Sequence, residues 1–157
     1  PVFDINGTLA GLAICFDVIY DELIWEGARD GAQVYLFQTN NADFRGTDEN
    51  LQQLAIARMR AIETGRAVVN SSTVGASQVI APDGSTLDAL PADVAGQMVT
   101  TVELRDGLTP AVVLGAWVPG VLAVGAVAGL LVVGVGAALR RRRADAASVE
   151  LYVDVRR

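Results

Sequence analysis

The feature that most constrains this chain is a stretch from Ala111 to Leu139 without one charged residue, closed at once by Arg140, Arg141, Arg142 and Arg143. As a helix, the 22 residues from Val118 to Leu139 reach about 33 Å, enough to cross the hydrocarbon core of a bilayer. Trp117, a residue type favoured at the membrane interface, stands just before them. The 52% hydrophobic content and mean hydropathy of +0.38 are high for a soluble domain, and the excess sits in this stretch. A transmembrane helix is therefore predicted over 110–139, between a domain at 1–109 and a tail at 140–157.

Charge assigns an orientation to these parts. Up to Pro110 there are 15 acids and 6 arginines, a net charge of −9, whereas the tail carries 6 arginines and 3 acids, a net charge of +3. The positive-inside rule places the tail in the cytoplasm and the acidic domain on the outer face of the plasma membrane. The apolar stretch lies too far along the chain to be a signal peptide, so an export signal is expected upstream of Pro1. The arginine cluster reads as a topology signal in contact with anionic headgroups.

All twelve basic residues are arginine, with no lysine and no histidine. That composition excludes Ser-His-Asp and Cys-His mechanisms built from these residues, and it leaves no imidazole for a metal. A single cysteine cannot form an internal disulfide, and no Cys/His spacing suggests zinc. The acidic domain has no basic stripe for nucleic acid. Neither a metal nor a cofactor is expected.

The domain reads as alternating strands and helices followed by a strand-rich part. Val2–Ile5 and Thr8–Cys15 flank Asn6-Gly7, a dipeptide that favours a two-residue hairpin turn. Ile19, Leu23, Ile24 and Ala28 predict a helix over 18–29, and Val34–Phe37 a short buried strand. The polar segment TNNADFRGTDEN leads into a helix with Asp48 as N-cap, Gly65 as stop and an apolar side of Leu51, Leu54, Ala55, Met59 and Ile62. Strands are predicted at 67–72, 76–81 and 86–90, with Pro82-Asp83-Gly84 as a turn, and a last strand at 97–104. In the tail, VELYVDV has a strand-like pattern.

The lone cysteine, Cys15, stands where an apolar strand gives way to an acidic amphipathic segment. A fold can aim a nucleophile from such a position, although a cysteine on an apolar strand is more often a small core residue. Arg60 and Glu63, three apart on one helix face, read first as a local ion pair. Gly125 and Gly129 have the small-xxx-small spacing that lets a second helix approach, a spacing that Gly/Ala-rich composition also produces.

Several segments, in order, resemble the carbon–nitrogen hydrolase (nitrilase) superfamily and, within it, the membrane-bound apolipoprotein N-acyltransferases. GLAICFDVIYDEL is similar to the nucleophile segment, TNNADFRG to the loop after the next strand, and QQLAIARMRAIETGRAVVNSSTVGASQVIAPDG to the helix, strand and hairpin that follow. GLTP with Trp117 and the apolar stretch is similar to the exit into the bilayer that soluble nitrilases lack. The resemblance implies an α/β fold, namely part of a nitrilase-type α-β-β-α sandwich followed by one C-terminal transmembrane helix, with sheet edges left exposed.

It also implies a reaction in which Cys15 takes an acyl chain from a phospholipid as a thioester and passes it to the N-terminal amine of a diacylglyceryl-cysteine apolipoprotein. Phe16 and Asp17 fall where the family shapes its acyl pocket, with Asp in place of the usual Glu, and Asp17 could equally cap the helix from Val18. Asn40, Asn41 and Phe44 map near the site; Asp43 replaces a common Trp, and Arg45 interrupts a common Phe-Gly pair. The family's Glu and Lys lie N-terminal to the nucleophile, and residues 1–14 contain neither, so this chain alone is expected to be inactive. A membrane-anchored nitrilase or amidase, and a non-catalytic remnant, are the alternatives.

Overall fold

The computed structural model describes the backbone of residues 1–154 and the side chains of residues 1–140. It divides into two units, Pro1–Gly115 and Ala116 onward.

Six strands form one sheet in the order β1-β2-β3-β4-β5-β6: Val2–Ile5, Thr8–Ile14, Val34–Thr39, Ala67–Ser72, Ser77–Ile80 and Thr86–Leu90. The β1–β2 hairpin closes through Asn6 and Gly7, both at positive φ as a tight turn requires. β2, β3 and β4 are parallel, and each crossover carries a helix: α1 (Asp21–Arg29) between β2 and β3, and α2 (Glu49–Thr64) between β3 and β4. β5 and β6 return antiparallel through the Pro82-Asp83-Gly84 turn.

Both helices contribute to one core with the sheet face formed by Ala13, Tyr35, Phe37, Val68 and Ile80. Tyr35 lies across Gly11 of the neighbouring strand, where a Cβ would stand 2.4 Å from the ring, so this position admits only glycine without a shift. Its hydroxyl donates to the Ile24 carbonyl of α1. Burial pushes the Tyr35 phenol well above its ordinary range.

Where β4 begins, Arg66 is fully buried and donates to five carbonyls: Ala32, Thr64 (2.6 Å), Gly107 (3.2 Å), Ala28 (3.3 Å) and Asp106 (3.3 Å). The guanidinium thereby satisfies backbone acceptors at the C-terminal ends of α1 and α2 and ties the 106–107 segment to them. Desolvation lowers its pKa.

Several expectations change. The helix expected over 18–29 is a 3-10 turn, Cys15–Ile19, then extended Tyr20, then α1. On α2, Gly65 stops the helix at φ +66 as expected, and Asp48 is the N-cap residue without a side-chain bond. Of the expected apolar side, however, only Leu54 is buried, while Leu51, Met59 and Ile62 are more than half exposed. The inward side is Gln53, Leu54, Ala57, Arg60, Ala61 and Thr64, because two alanines permit close approach and the polar groups find bonds inside. No strand forms at 97–104; Val102 packs instead across the sheet on Ala10, Val34 and Ala67.

The helix expected over 110–139 is divided. Pro110–Leu114 forms a short α3, capped by Thr109 and packed through Val112 on Trp25 and Ala28 of α1, and Gly115 ends it. α4 then spans Trp117–Asp154, so the VELYVDV stretch up to Asp154 continues a helix, and Val155 lies outside the described residues. Trp117–Arg140 is 24 residues long, its most apolar 18-residue window has mean hydropathy 2.4 and is wholly unburied, and the segment is long and apolar enough to cross a membrane.

Candidate active site

Cys15 follows the last residue of β2 and takes φ +52, one of three non-glycine residues at positive φ among those described. For a side chain with a Cβ this conformation costs about 1–2 kcal/mol and persists only where the surroundings impose it. The imposing contacts lie at both ends of the Cys15–Ile19 turn. At its start the Ile14 N–H donates to Asp17 Oδ2 (3.0 Å), so Asp17 locks the turn, and Tyr20, not Asp17, is the N-cap of α1. At its end Arg60 donates through Nε to Val18 O (2.7 Å) and through a terminal nitrogen to Ile19 O (2.9 Å).

Arg60 is held in turn by Asp21 (2.6 Å) and Glu63 (2.5 Å) and is almost wholly buried. The expected Arg60–Glu63 pair is therefore present, but it belongs to a clamp from α2 onto the turn that carries the thiol. A strained strand-to-helix turn of this kind lifts a nucleophile clear of the sheet. Cys15 itself is partly exposed.

Phe16 and Phe44 meet edge to face, ring centroids 6.0 Å apart at 83°, so the turn and the 3-10 segment Ala42–Phe44 share an aromatic contact. Asn41 is buried, whereas Asn40 is exposed and its Oδ1 accepts from the Ala42 N–H (3.2 Å) and the Thr73 hydroxyl (2.9 Å). The structure thus brings Cys15, Phe16, Asp17 and Phe44 together, with Asn41 one layer deeper and Asn40 turned to the β4–β5 loop. Arg45 forms an exposed ion pair with Asp93 (2.7 Å).

Beneath the thiol lies a polar chain of which only Asn41 was expected from the sequence. The Gln53 amide reaches from Cys15 Sγ (3.9 Å) to Thr39 Oγ1 (2.9 Å). Thr39 Oγ1 lies 2.9 Å from Asn41 Oδ1, and Asn41 Nδ2 donates to Asn50 Oδ1 (3.0 Å), which also accepts from the Ala76 N–H (3.2 Å). The available signal was the spacing of Gln53, Ala57, Arg60, Ala61 and Thr64, one helical stripe of small and hydrogen-bonding residues. Among the described residues no group of three or more His, Cys, Asp or Glu is placed to hold a metal ion.

A partly exposed thiol held on a strand-to-turn junction has the chemistry to act as a nucleophile once a base takes its proton. Residues 1–108 match the carbon-nitrogen hydrolase family. The chain belongs to that family. Among its relatives, the apolipoprotein N-acyltransferase of Mycolicibacterium smegmatis is 38% identical over 128 residues, covering 80% of this chain and 21% of that protein. The apolipoprotein N-acyltransferase of Ralstonia nicotianae is 36% identical over 150 residues, covering 94% of this chain and 27% of that protein. The chain therefore spans about a fifth to about a quarter of these curated relatives.

Among solved structures, Saccharomyces cerevisiae Nit3, a member of branch 10 of the nitrilase superfamily, superposes with a TM-score of 0.50 at 23% identity, over 59% of this chain and 36% of that one. That likeness agrees in fold with the carbon-nitrogen hydrolase match. The described residues supply one α layer and one β layer of the expected α-β-β-α sandwich, followed by the apolar helix.

Proposed function

We propose that this chain is the thiol-bearing part of an apolipoprotein N-acyltransferase, anchored by α4 with the sheet domain outside the plasma membrane and the tail beyond 139 in the cytoplasm. One observation carries the reading. Likeness to the Ralstonia nicotianae acyltransferase extends over 94% of the chain, so it cannot be confined to the hydrolase-like 1–108 and must run on into the apolar helix.

In the reaction, Cys15 Sγ attacks an acyl ester carbonyl of a phospholipid. The C–S bond forms, the ester C–O bond breaks, and the lysophospholipid leaves with a proton on its oxygen. The amine of a diacylglyceryl-cysteine apolipoprotein then attacks the thioester, an amide forms, and the thiol is restored. Phe16 and Phe44 supply an apolar wall for the acyl chain, and Asp17 keeps the turn closed.

The chain brings no lysine or histidine, and Asp17, the acid two residues after the thiol, is engaged with the Ile14 N–H, so in this reading the general base and the cation facing the oxyanion come from outside residues 1–157. Residues 1–157 alone are then inactive. The test replaces the matched segment of the Mycolicibacterium smegmatis relative with residues 1–157 and follows acyl transfer from phospholipid to a diacylated lipopeptide in detergent. The chimera transfers, its Cys15→Ala variant does not, and the isolated chain does not. Transfer by the isolated chain or by the Cys15→Ala chimera would overturn the reading.

A further inference from the structure

Three side chains in the polar chain beneath Cys15 are more than nine-tenths buried: Gln53 at 8% exposure, Thr39 at 7% and Asn41 at 3%. Each must therefore find its partners inside. The structure sets Gln53 Oε1 2.9 Å from Thr39 Oγ1 and Nε2 3.9 Å from Cys15 Sγ. Thr39 Oγ1 is also 2.9 Å from Asn41 Oδ1. One hydroxyl has one proton, so it cannot serve two carbonyl oxygens at once.

The far end of the chain decides which oxygen it serves. The Ala76 N–H is a backbone donor and cannot turn round, so the Asn50 atom 3.2 Å away must be the oxygen. Asn41 approaches that same oxygen at 3.0 Å and must present its nitrogen, which leaves Asn41 Oδ1 facing Thr39. Thr39 then spends its proton on Asn41, and its oxygen has lone pairs to offer but no further proton. The group facing it from Gln53 must be a donor. Rotation of the Gln53 amide by half a turn about its last torsion exchanges O and N, keeps both contacts, and gives each contact from Cys15 to Ala76 one donor and one acceptor.

We infer that the chain has one working direction, imposed by the Ala76 N–H, in which Gln53 turns its amide oxygen to the Cys15 thiol. Gln53 is a positioning residue that holds the proton on sulfur until a base takes it. It orients the S–H and favours the thiol over the thiolate by the worth of one hydrogen bond until the catalytic base is in place. This role rests on the acyl-carrier reading of Cys15, but its test uses no acyl chemistry and can fail independently of that reading.

Cys15 is the only cysteine, so iodoacetamide reports on it alone in the 157-residue chain in detergent at fixed neutral pH. An acceptor favours S–H, a donor favours the thiolate, and the thiolate is the form that alkylates. Gln53→Met removes the acceptor, and Thr39→Val frees the Gln53 amide to turn its nitrogen to sulfur. Both are expected to alkylate about two- to tenfold faster than the parent, the worth of one ordinary hydrogen bond. Slower alkylation in both variants would show the opposite polarity, and unchanged rates would show no bond; either overturns the inference. Where a variant loses the parental thermal transition, the infrared S–H band of the parent decides. A band lowered by hydrogen bonding supports an acceptor on sulfur, and a band at the position of a free thiol contradicts it.

Discussion

The two faces of the sheet are built from the same strands and differ in how they are closed. On one, Tyr35, Phe37, Val68 and Ile80 are buried under α1 and α2. On the other, Ala10, Val34 and Ala67 are buried with Val102 packed against them, but Leu12, Leu36 and Val69 are half-buried and Ile14 is 64% exposed. A parallel strand group normally has both faces covered, so the first face is a completed core and the second is half of one. The second face is where a sandwich of two sheets would meet, and the chain spans 21% to 27% of the length of its acyltransferase relatives.

The largest expected effect tests this asymmetry at adjacent residues of β3. Phe37→Ala should lower stability by about 3–5 kcal/mol through lost burial and cavity formation, and Leu36→Ala by less than half as much, in urea unfolding of the chain in detergent. Equal losses would mean that the second face is as well packed as the first. Arg66→Met comes next, at about 3 kcal/mol, because it strands carbonyls from both helix ends on the closed side.

Tyr35→Phe should cost about 1 kcal/mol by losing the bond to Ile24, and it carries a pH signature. The folded phenol lies above its unfolded value of 10.0, so its contribution is complete below pH 10 and is lost as the pH rises towards the folded value. The parent should weaken above pH 10 where the Phe variant does not. Smallest is Ile14→Thr on the open face, within about 0.5 kcal/mol of the parent but less prone to self-association. A larger loss in that variant would show that Ile14 is covered.

The same contrast explains what could be read from the sequence. Turn chemistry at Asn6-Gly7, Gly65 and Pro82-Asp83-Gly84 marks its positions because backbone conformation there depends on the residues themselves. The inward side of α2 was hidden, since apolar periodicity points to Leu51, Met59 and Ile62 while burial follows Ala57, Ala61 and a hydrogen-bonded Arg60. Residues 97–104 have strand composition but lie across a sheet face, a tertiary placement that propensity does not encode. At the site, Cys15 and its two followers could be singled out by residue type. Thr39 could not, and Gln53 was marked only by its place on the α2 stripe, because their part depends on contacts 38 and 14 residues apart.

Whether the sulfur of Cys15 carries the acyl chain is read most directly by peptide mass spectrometry of the chimera after incubation with phospholipid and no acceptor. One fatty acyl mass is expected on the Cys15 peptide, removed by hydroxylamine and discharged when lipopeptide is added. An unmodified Cys15 peptide from a chimera that still acylates its acceptor would contradict that role of the sulfur.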